Sequence, residues 1–271
     1  RPAGTMPAER LRVACVQMDM RLGDADGNFA HAEELVRAAV EREHPDVVVL
    51  PETWNTGFFP EDLSACADRD GMRTKETFSR LAKELHVHIV AGSVADRRDG
   101  RFYNTAYVFD RTGALVTSYD KTHAFTPMGE QLAFAQGDAL CRFSLEGHDC
   151  GLIICYDIRF PELTRTLALQ GMDLLFVVSQ WPEKRNLHLQ TLSRARAIEN
   201  QMFLVLCNSC GTAEETRYGG GSALIDPWGE TLAQAGREEE ILAADLDFSV
   251  IDGIRSSINV FRDRRPELYH V

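Results

Sequence analysis

The chain has 271 residues, 44% of them hydrophobic and 26% charged, with 20 glycines and 10 prolines spread along it; this excludes a disordered or collagen-like chain and leaves room for a sizeable core. Its 29 Lys and Arg against 41 Asp and Glu give a net charge of −12, which repels a phosphate backbone and argues against a nucleic-acid partner. The longest apolar runs, such as Leu174 to Val178, fall far short of the ~20 residues that cross a bilayer, and Arg1 to Arg10 lacks the apolar stretch of a secretory signal, so no membrane association is expected.

A first strand is predicted over Leu11 to Met18 and a helix over about Asn28 to Glu43, with Ala32, Leu35, Val36, Ala39 and Val40 on one face. The apolar run Val47 to Leu50 is followed at once by Pro51-Glu52, then by irregular sequence to about Gly71. A helix near Lys75 to Leu85 leads into a strand over His88 to Val94. Thr105 to Phe109 turns at Arg111-Thr112-Gly113 and returns through Leu115 to Tyr119, just before Lys121. Thr122 to Gln136, with Pro127 and Gly129 and no clear period, reads as a structured loop. Phe143 to Ile154 reads as a hairpin turning at Glu146-Gly147 and ending before Cys155, and Pro161 suits the first turn of a helix. Strand Leu174 to Ser179, helix Leu187 to Asn200 and strand Phe203 to Cys207 form a further β-α-β unit. Strands at Ser222 to Ile225, Thr231 to Gln234 and Ile241 to Leu246, and a short helix from Ser249, complete one domain over residues 11–261. Residues 1–10 form an N-terminal extension, part of which need not be native, and 262–271 form a polar C-terminal tail.

Seven cysteines, Cys15, Cys66, Cys141, Cys150, Cys155, Cys207 and Cys210, make an odd count, several within apolar runs. This suits free thiols in a reducing compartment, and a cytoplasmic location is expected.

Glu52, Lys121 and Cys155 each sit just past an apolar strand. In open α/β sheets sites gather at the carboxyl ends of strands, so these three unlike reactive groups can converge on one pocket; solvated strand-end residues are the other reading of that placement. Cys155 lies between Gly151-Leu152-Ile153-Ile154 and a helix start. A sharp strand-to-helix turn exposes a nucleophile, aims backbone N–H groups at a developing oxyanion and lowers a thiol pKa, while a lone Cys also reads as a buried inert thiol.

Pro51-Glu52-Thr53-Trp54, Tyr119-Asp120-Lys121-Thr122-His123, Pro127-Met128-Gly129-Glu130, Cys155-Tyr156-Asp157-Ile158-Arg159-Phe160-Pro161-Glu162 and Arg194 to Gln201 resemble, in order, the signature blocks of the nitrilase, or carbon-nitrogen hydrolase, superfamily. The resemblance spans about Leu11 to Leu246. It implies an α/β fold built as a four-layer α-β-β-α sandwich, a Glu52, Lys121, Cys155 triad with Glu130 as second glutamate, no cofactor and no metal, and a homodimer or higher homo-oligomer. Cys155 would attack an amide carbonyl and form a thioester; Glu52 would serve as general base and acid; Lys121 and the backbone N–H of Tyr156 would hold the oxyanion.

The run Gln180-Trp181-Pro182-Glu183-Lys184-Arg185 resembles the omega-amidase group, which implies a small-molecule amide carrying a carboxylate, such as 2-oxoglutaramate or 2-oxosuccinamate. Arg185 is the candidate carboxylate ligand, with Trp181 and Phe125 as apolar walls; a solvated helix-start charge is the alternative for Arg185. Rival substrates with the same triad are an aliphatic amide, an N-carbamoyl amino acid or deaminated glutathione, and a non-catalytic binding protein on the same fold is the reading from another class. Arg159 and Arg196 are expected to pair with Glu162 and Glu199. Cys207-x-x-Cys210 and the His86, His88 pair are too sparse for a metal site, and Arg237 to Glu240 reads as a solvated turn.

Overall fold

The computed structural model describes residues 6–271, so half of the expected extension over 1–10 lies outside the described residues. One sheet has the strand order Glu240–Asp247, Arg10–Gln17, Val47–Val49, His88–Arg98, Arg101–Phe109, Leu115–Asp120. The second runs Thr231–Gln234, Ala223–Ile225, Phe203–Asn208, Leu174–Ser179, His148–Ile154, Arg142–Leu145.

Strand alternation explains how these sheets become layers. In the first sheet Val13, Cys15, Val47, Val49 and Val90 belong to the core shared with the second sheet. Their neighbours Ala14, Val16, Val48, Leu50 and Ile89 point the other way, into a core with Ala32, Val36 and Ala39 of helix Ala25–Glu43 and Phe78 and Leu81 of helix Met72–Leu85. Helices Pro161–Leu169 and Asn186–Asn200 cover the far face of the second sheet through Leu163, Leu167, Leu189 and Ala197. The result is the expected four-layer α-β-β-α sandwich. Asp24 caps the first helix, its carboxylate accepting from Gly27 N at 3.0 Å, so the helix begins at Ala25, three residues before the predicted start.

Several segments differ from expectation. His88–Arg98 runs four residues past Val94 because Asp99-Gly100, both at positive φ (51° and 74°), make a two-residue hairpin turn into Arg101–Phe109. The loop over 122–136 contains a 3-10 turn Thr126–Met128, a helical turn Glu130–Ala133 and a strand Phe134–Ala135. An unpredicted hairpin joins Cys210–Ala213 to Thr216–Gly219. The tail that the sequence sets at Arg262 begins inside a short helix, Val260–Asp263. No helix among the described residues is long and apolar enough to cross a membrane.

Gly92 allows the chain to place Glu52. It interrupts the ladder between Val90 and Ser93 at φ +55°, and a Cβ there would lie 2.0 Å from Pro51 O. Its bareness lets Pro51-Glu52 cross the strand, with Ser93 N donating to Pro51 O at 3.1 Å. Gly92→Ala is expected to cost about 2 kcal/mol or more, read as a lowered denaturant midpoint; an unchanged midpoint would contradict this origin of the crossing.

Candidate active site

Both sheets contribute strand ends to one pocket. Glu52 follows strand Val47–Val49, and Lys121 follows Leu115–Asp120 in the same sheet. Cys155 and Gln180 follow the parallel neighbours His148–Ile154 and Leu174–Ser179 of the other. Face-to-face packing brings the four together.

Lys121, 3% exposed, donates from Nζ to Glu52 Oε2 and Glu130 Oε2, each at 2.9 Å. Glu52 is fully buried: Asn104 Nδ2 also donates to its Oε2 at 2.8 Å, and the backbone N–H of Gln180 donates to its Oε1 at 3.0 Å. Glu130 opens its helical turn and also accepts from Phe125 N at 2.7 Å. Every oxygen of these carboxylates that lies against Lys121 is thus fixed by at least one further donor. Burial opposes the Lys121 charge, but Glu52 and Glu130 outweigh it and hold the ammonium above the usual lysine range. Burial, with Glu52 adding to it and Lys121 opposing, pushes the Glu130 carboxyl up.

Cys155 occupies the left-handed region at φ +48°, a conformation costly for a residue with a Cβ. It opens a 3-10 turn, Cys155–Arg159, and the α-helix begins only at Pro161. The helix start therefore lies one turn beyond the thiol, and the expected lowering of its pKa does not occur: burial first, then the Glu52 charge, pushes the Cys155 thiol well up, with Lys121 pulling against them. This direction favours the protonated thiol over the thiolate.

The cavity over this cluster is lined by Lys121, Cys155, Phe125, Tyr156, Trp181 and Arg185, all singled out in the sequence. Glu52 and Glu130 stand behind Lys121. Arg185 lies with its guanidinium carbon 5.2 Å from the Phe125 ring centroid, and its carbonyl accepts from Trp181 Nε1 at 2.8 Å. The same cavity is lined by Arg159, Gln180, Tyr218, Phe58 and Met128, none of which the sequence marks as pocket residues.

Arg159 does not pair with Glu162. Glu162 is exposed at the helix start, while the 3-10 turn swings Arg159 over the Trp181 ring, 4.8 Å from its centroid, with His188 Nδ1 3.0 Å away. Arg196 does bond Glu199, at 2.7 Å, and also donates twice to Ile158 O, tying helix Asn186–Asn200 to the Cys155 turn. Arg237 to Glu240 are exposed, as expected of a solvated turn, with Glu239 bonding His31 at 2.8 Å and Arg217 reaching Glu238 at 3.5 Å. His88 is a satisfied core histidine bonded to Glu146 at 2.7 Å, and Cys207 Sγ donates to Val16 O at 3.2 Å. Among the described residues no group of three His, Cys, Asp or Glu is placed to hold a metal ion.

A family model described as carbon-nitrogen hydrolase matches residues 12–256. The chain belongs to the carbon-nitrogen hydrolase family. It is 41% identical over 257 residues, 95% of this chain and 98% of the relative, to a 2-oxoglutaramate amidase of Bacillus subtilis (strain 168). It is 31% identical to the human omega-amidase over 96% of this chain and 97% of that protein. Its fold is similar to that of a Saccharomyces cerevisiae member of branch 10 of the nitrilase superfamily, with a TM-score of 0.88, 28% identity, and coverage of 96% of this chain and 98% of that one. This carbon-nitrogen hydrolase is an amide-hydrolysing enzyme of the nitrilase superfamily.

Proposed function

We propose that this hydrolase removes the terminal amide of a small dicarboxylate monoamide of the 2-oxoglutaramate or 2-oxosuccinamate kind, with Cys155 as nucleophile. One observation carries the substrate class: Arg159 and Arg185 both line the cavity that holds Cys155, and neither is ion-paired to a carboxylate among the described residues. Two such guanidiniums match the geometry of a substrate carboxylate. The names of the amidase relatives fit that chemistry.

Glu52 takes the thiol proton as sulfur bonds to the amide carbon, and the carbonyl electron pair moves onto oxygen. The ammonium of Lys121 has three N–H groups, of which two are held by Glu52 and Glu130; the third, with the Tyr156 backbone N–H, stabilises the oxyanion. The C–N bond then breaks, ammonia leaves with the proton that Glu52 returns, and a thioester remains. Glu52 next deprotonates water, whose oxygen attacks the thioester carbon; the C–S bond breaks and the proton passes back to sulfur. Glu130 holds Lys121 in line, and the buried cluster and the bound substrate together stay at constant net charge, since the proton moves only between them. A cluster with two carboxylates and one ammonium repels the substrate's own carboxylate, so that group is bound at the far side by the arginines. Trp181 and Phe125 wall the space between.

Arg159→Ala and Arg185→Ala are each expected to raise KM for 2-oxoglutaramate by about 10- to 100-fold, the worth of a charge-assisted bond, while leaving a neutral aliphatic amide within about threefold. Equal effects on both amides would remove that arginine from the substrate site. The buried free cysteines fit a reducing compartment such as the cytoplasm. Exposed Leu187 and Ile198 of helix Asn186–Asn200, with Trp228 and Leu232, fit a homodimer face.

A further inference from the structure

The mechanism uses Glu52, Lys121, Glu130 and Cys155, yet a fifth ionisable side chain is as deeply buried and has no part in it. Asp157 is fully buried two residues after Cys155, and its two oxygens collect four donors. Oδ2 accepts from Tyr119 Oη at 2.6 Å and from Ile154 N at 3.0 Å; Oδ1 lies 2.8 Å from His123 Nδ1 and accepts from His123 N at 3.1 Å. Tyr119 and His123 flank Lys121 two residues to either side, and Ile154 directly precedes Cys155. One carboxylate therefore spans the segment that carries the ammonium and the turn that carries the thiol. These segments belong to different sheets and have no strand pairing with each other among the described residues, so backbone ladders do not fix their spacing.

We propose that Asp157 is a positioning residue that holds the Lys121 segment against the Cys155 turn and so sets the distance between ammonium and sulfur. The brace is rigid at every joint. His123 is pinned by stacking on Phe160, with ring centroids 3.7 Å apart and planes 7° off parallel. The Tyr119 hydroxyl is shared with Thr122 at 2.8 Å, and burial together with Asp157 pushes its phenol above the usual tyrosine range, so it stays a donor at working pH.

The proposal rests on the roles given to Cys155 and Lys121 above. Its test is the pH profile of kcat/KM for 2-oxoglutaramate in Asp157→Asn, with Tyr119→Phe as a milder variant that removes a single donor and keeps the ring. Geometry loosened by about 1 Å costs on the order of 100-fold, so Asp157→Asn is expected to lose about 30- to 100-fold at neutral pH. Among the charges facing the thiol, Glu52 holds its pKa up and Lys121 holds it down; a retreating Lys121 therefore moves the thiol limb of the profile to higher pH. Tyr119→Phe should move it the same way by less. A merely structural role would lower the folded fraction and scale the whole profile without moving it. Profiles that superimpose on wild type after scaling, in both variants, would overturn the proposal, as would activity within threefold in both. Cys155→Ala runs beside them: turnover there would overturn the nucleophile assignment, whereas a dead Cys155→Ala with superimposable Asp157 and Tyr119 profiles overturns the brace alone.

Discussion

Cys155→Ala is expected to lose amide hydrolysis by about 10⁴-fold or more while keeping its fold. The loss is large because in the proposed mechanism the thiol supplies the bond that divides amide hydrolysis into two steps, and neither Glu52 nor Lys121 can form it. The fold survives because only one sulfur is removed and the alanine keeps the same left-handed backbone, a change worth about 1 kcal/mol. Ammonia release measured beside a thermal melt checks both halves. Full activity in Cys155→Ala would sink the nucleophile assignment, and an unfolded variant would require the same reading from Cys155→Ser.

Lys121→Met is expected to damage both rate and stability. Among the described residues Lys121 is the one cation bonded to both Glu52 and Glu130, so its removal leaves two buried carboxylates facing each other. Breaking a buried ion pair from one side costs about 3–5 kcal/mol, and loss of an oxyanion donor costs on the order of 100- to 1000-fold in kcat. The stability loss has a sign in pH. Burial already pushes the Glu130 carboxyl up, and without Lys121 the repulsion from Glu52 raises it further. A carboxyl with a folded-state pKa above its unfolded value binds more protons folded than unfolded, so stability falls as pH rises through the carboxyl range and recovers as pH drops. The Tm deficit of Lys121→Met should be larger at pH 8 than at pH 5. An equal deficit at both would mean that the two glutamates do not share the Lys121 charge.

Much of this site is legible in the sequence because strand-sized apolar runs end directly on Glu52, Lys121 and Cys155, and because strand ends are where open sheets gather ligands. The layers follow from the same runs: Val13 and Cys15 alternate with Ala14 and Val16, and each set finds a different core. What the sequence hides is pairing across distance. Asn104 reaches Glu52 only because its strand lies beside the one that leads to Lys121, with Lys121 N bonded to Asn104 O at 2.8 Å. Tyr218 enters the cavity from the hairpin over 210–219, whose Gly and Glu residues give no strand alternation. Asp99-Gly100 is a hairpin signal that the charged run around it conceals. Arg159 escapes the sequence pattern because a charge three residues before a glutamate reads as a helical pair, whereas the segment is a 3-10 turn that ends before the helix begins.

The electrostatics of the cluster also bear on the Cys155 thiol. Burial and the Glu52 charge push the Cys155 thiol well up while Lys121 opposes them, so the mechanism proposed above has the proton pass to Glu52 as sulfur meets the amide carbon. In that mechanism substrate binding and thiol activation are coupled.

The most direct measurement is steady-state ammonia release from 2-oxoglutaramate compared with glutamine, a neutral aliphatic amide and an N-carbamoyl amino acid, with carbon dioxide followed in the last case. The highest kcat/KM is expected for 2-oxoglutaramate, through the carboxylate held by Arg159 and Arg185. An equal or higher kcat/KM for the neutral amide or the carbamoyl compound would contradict that assignment.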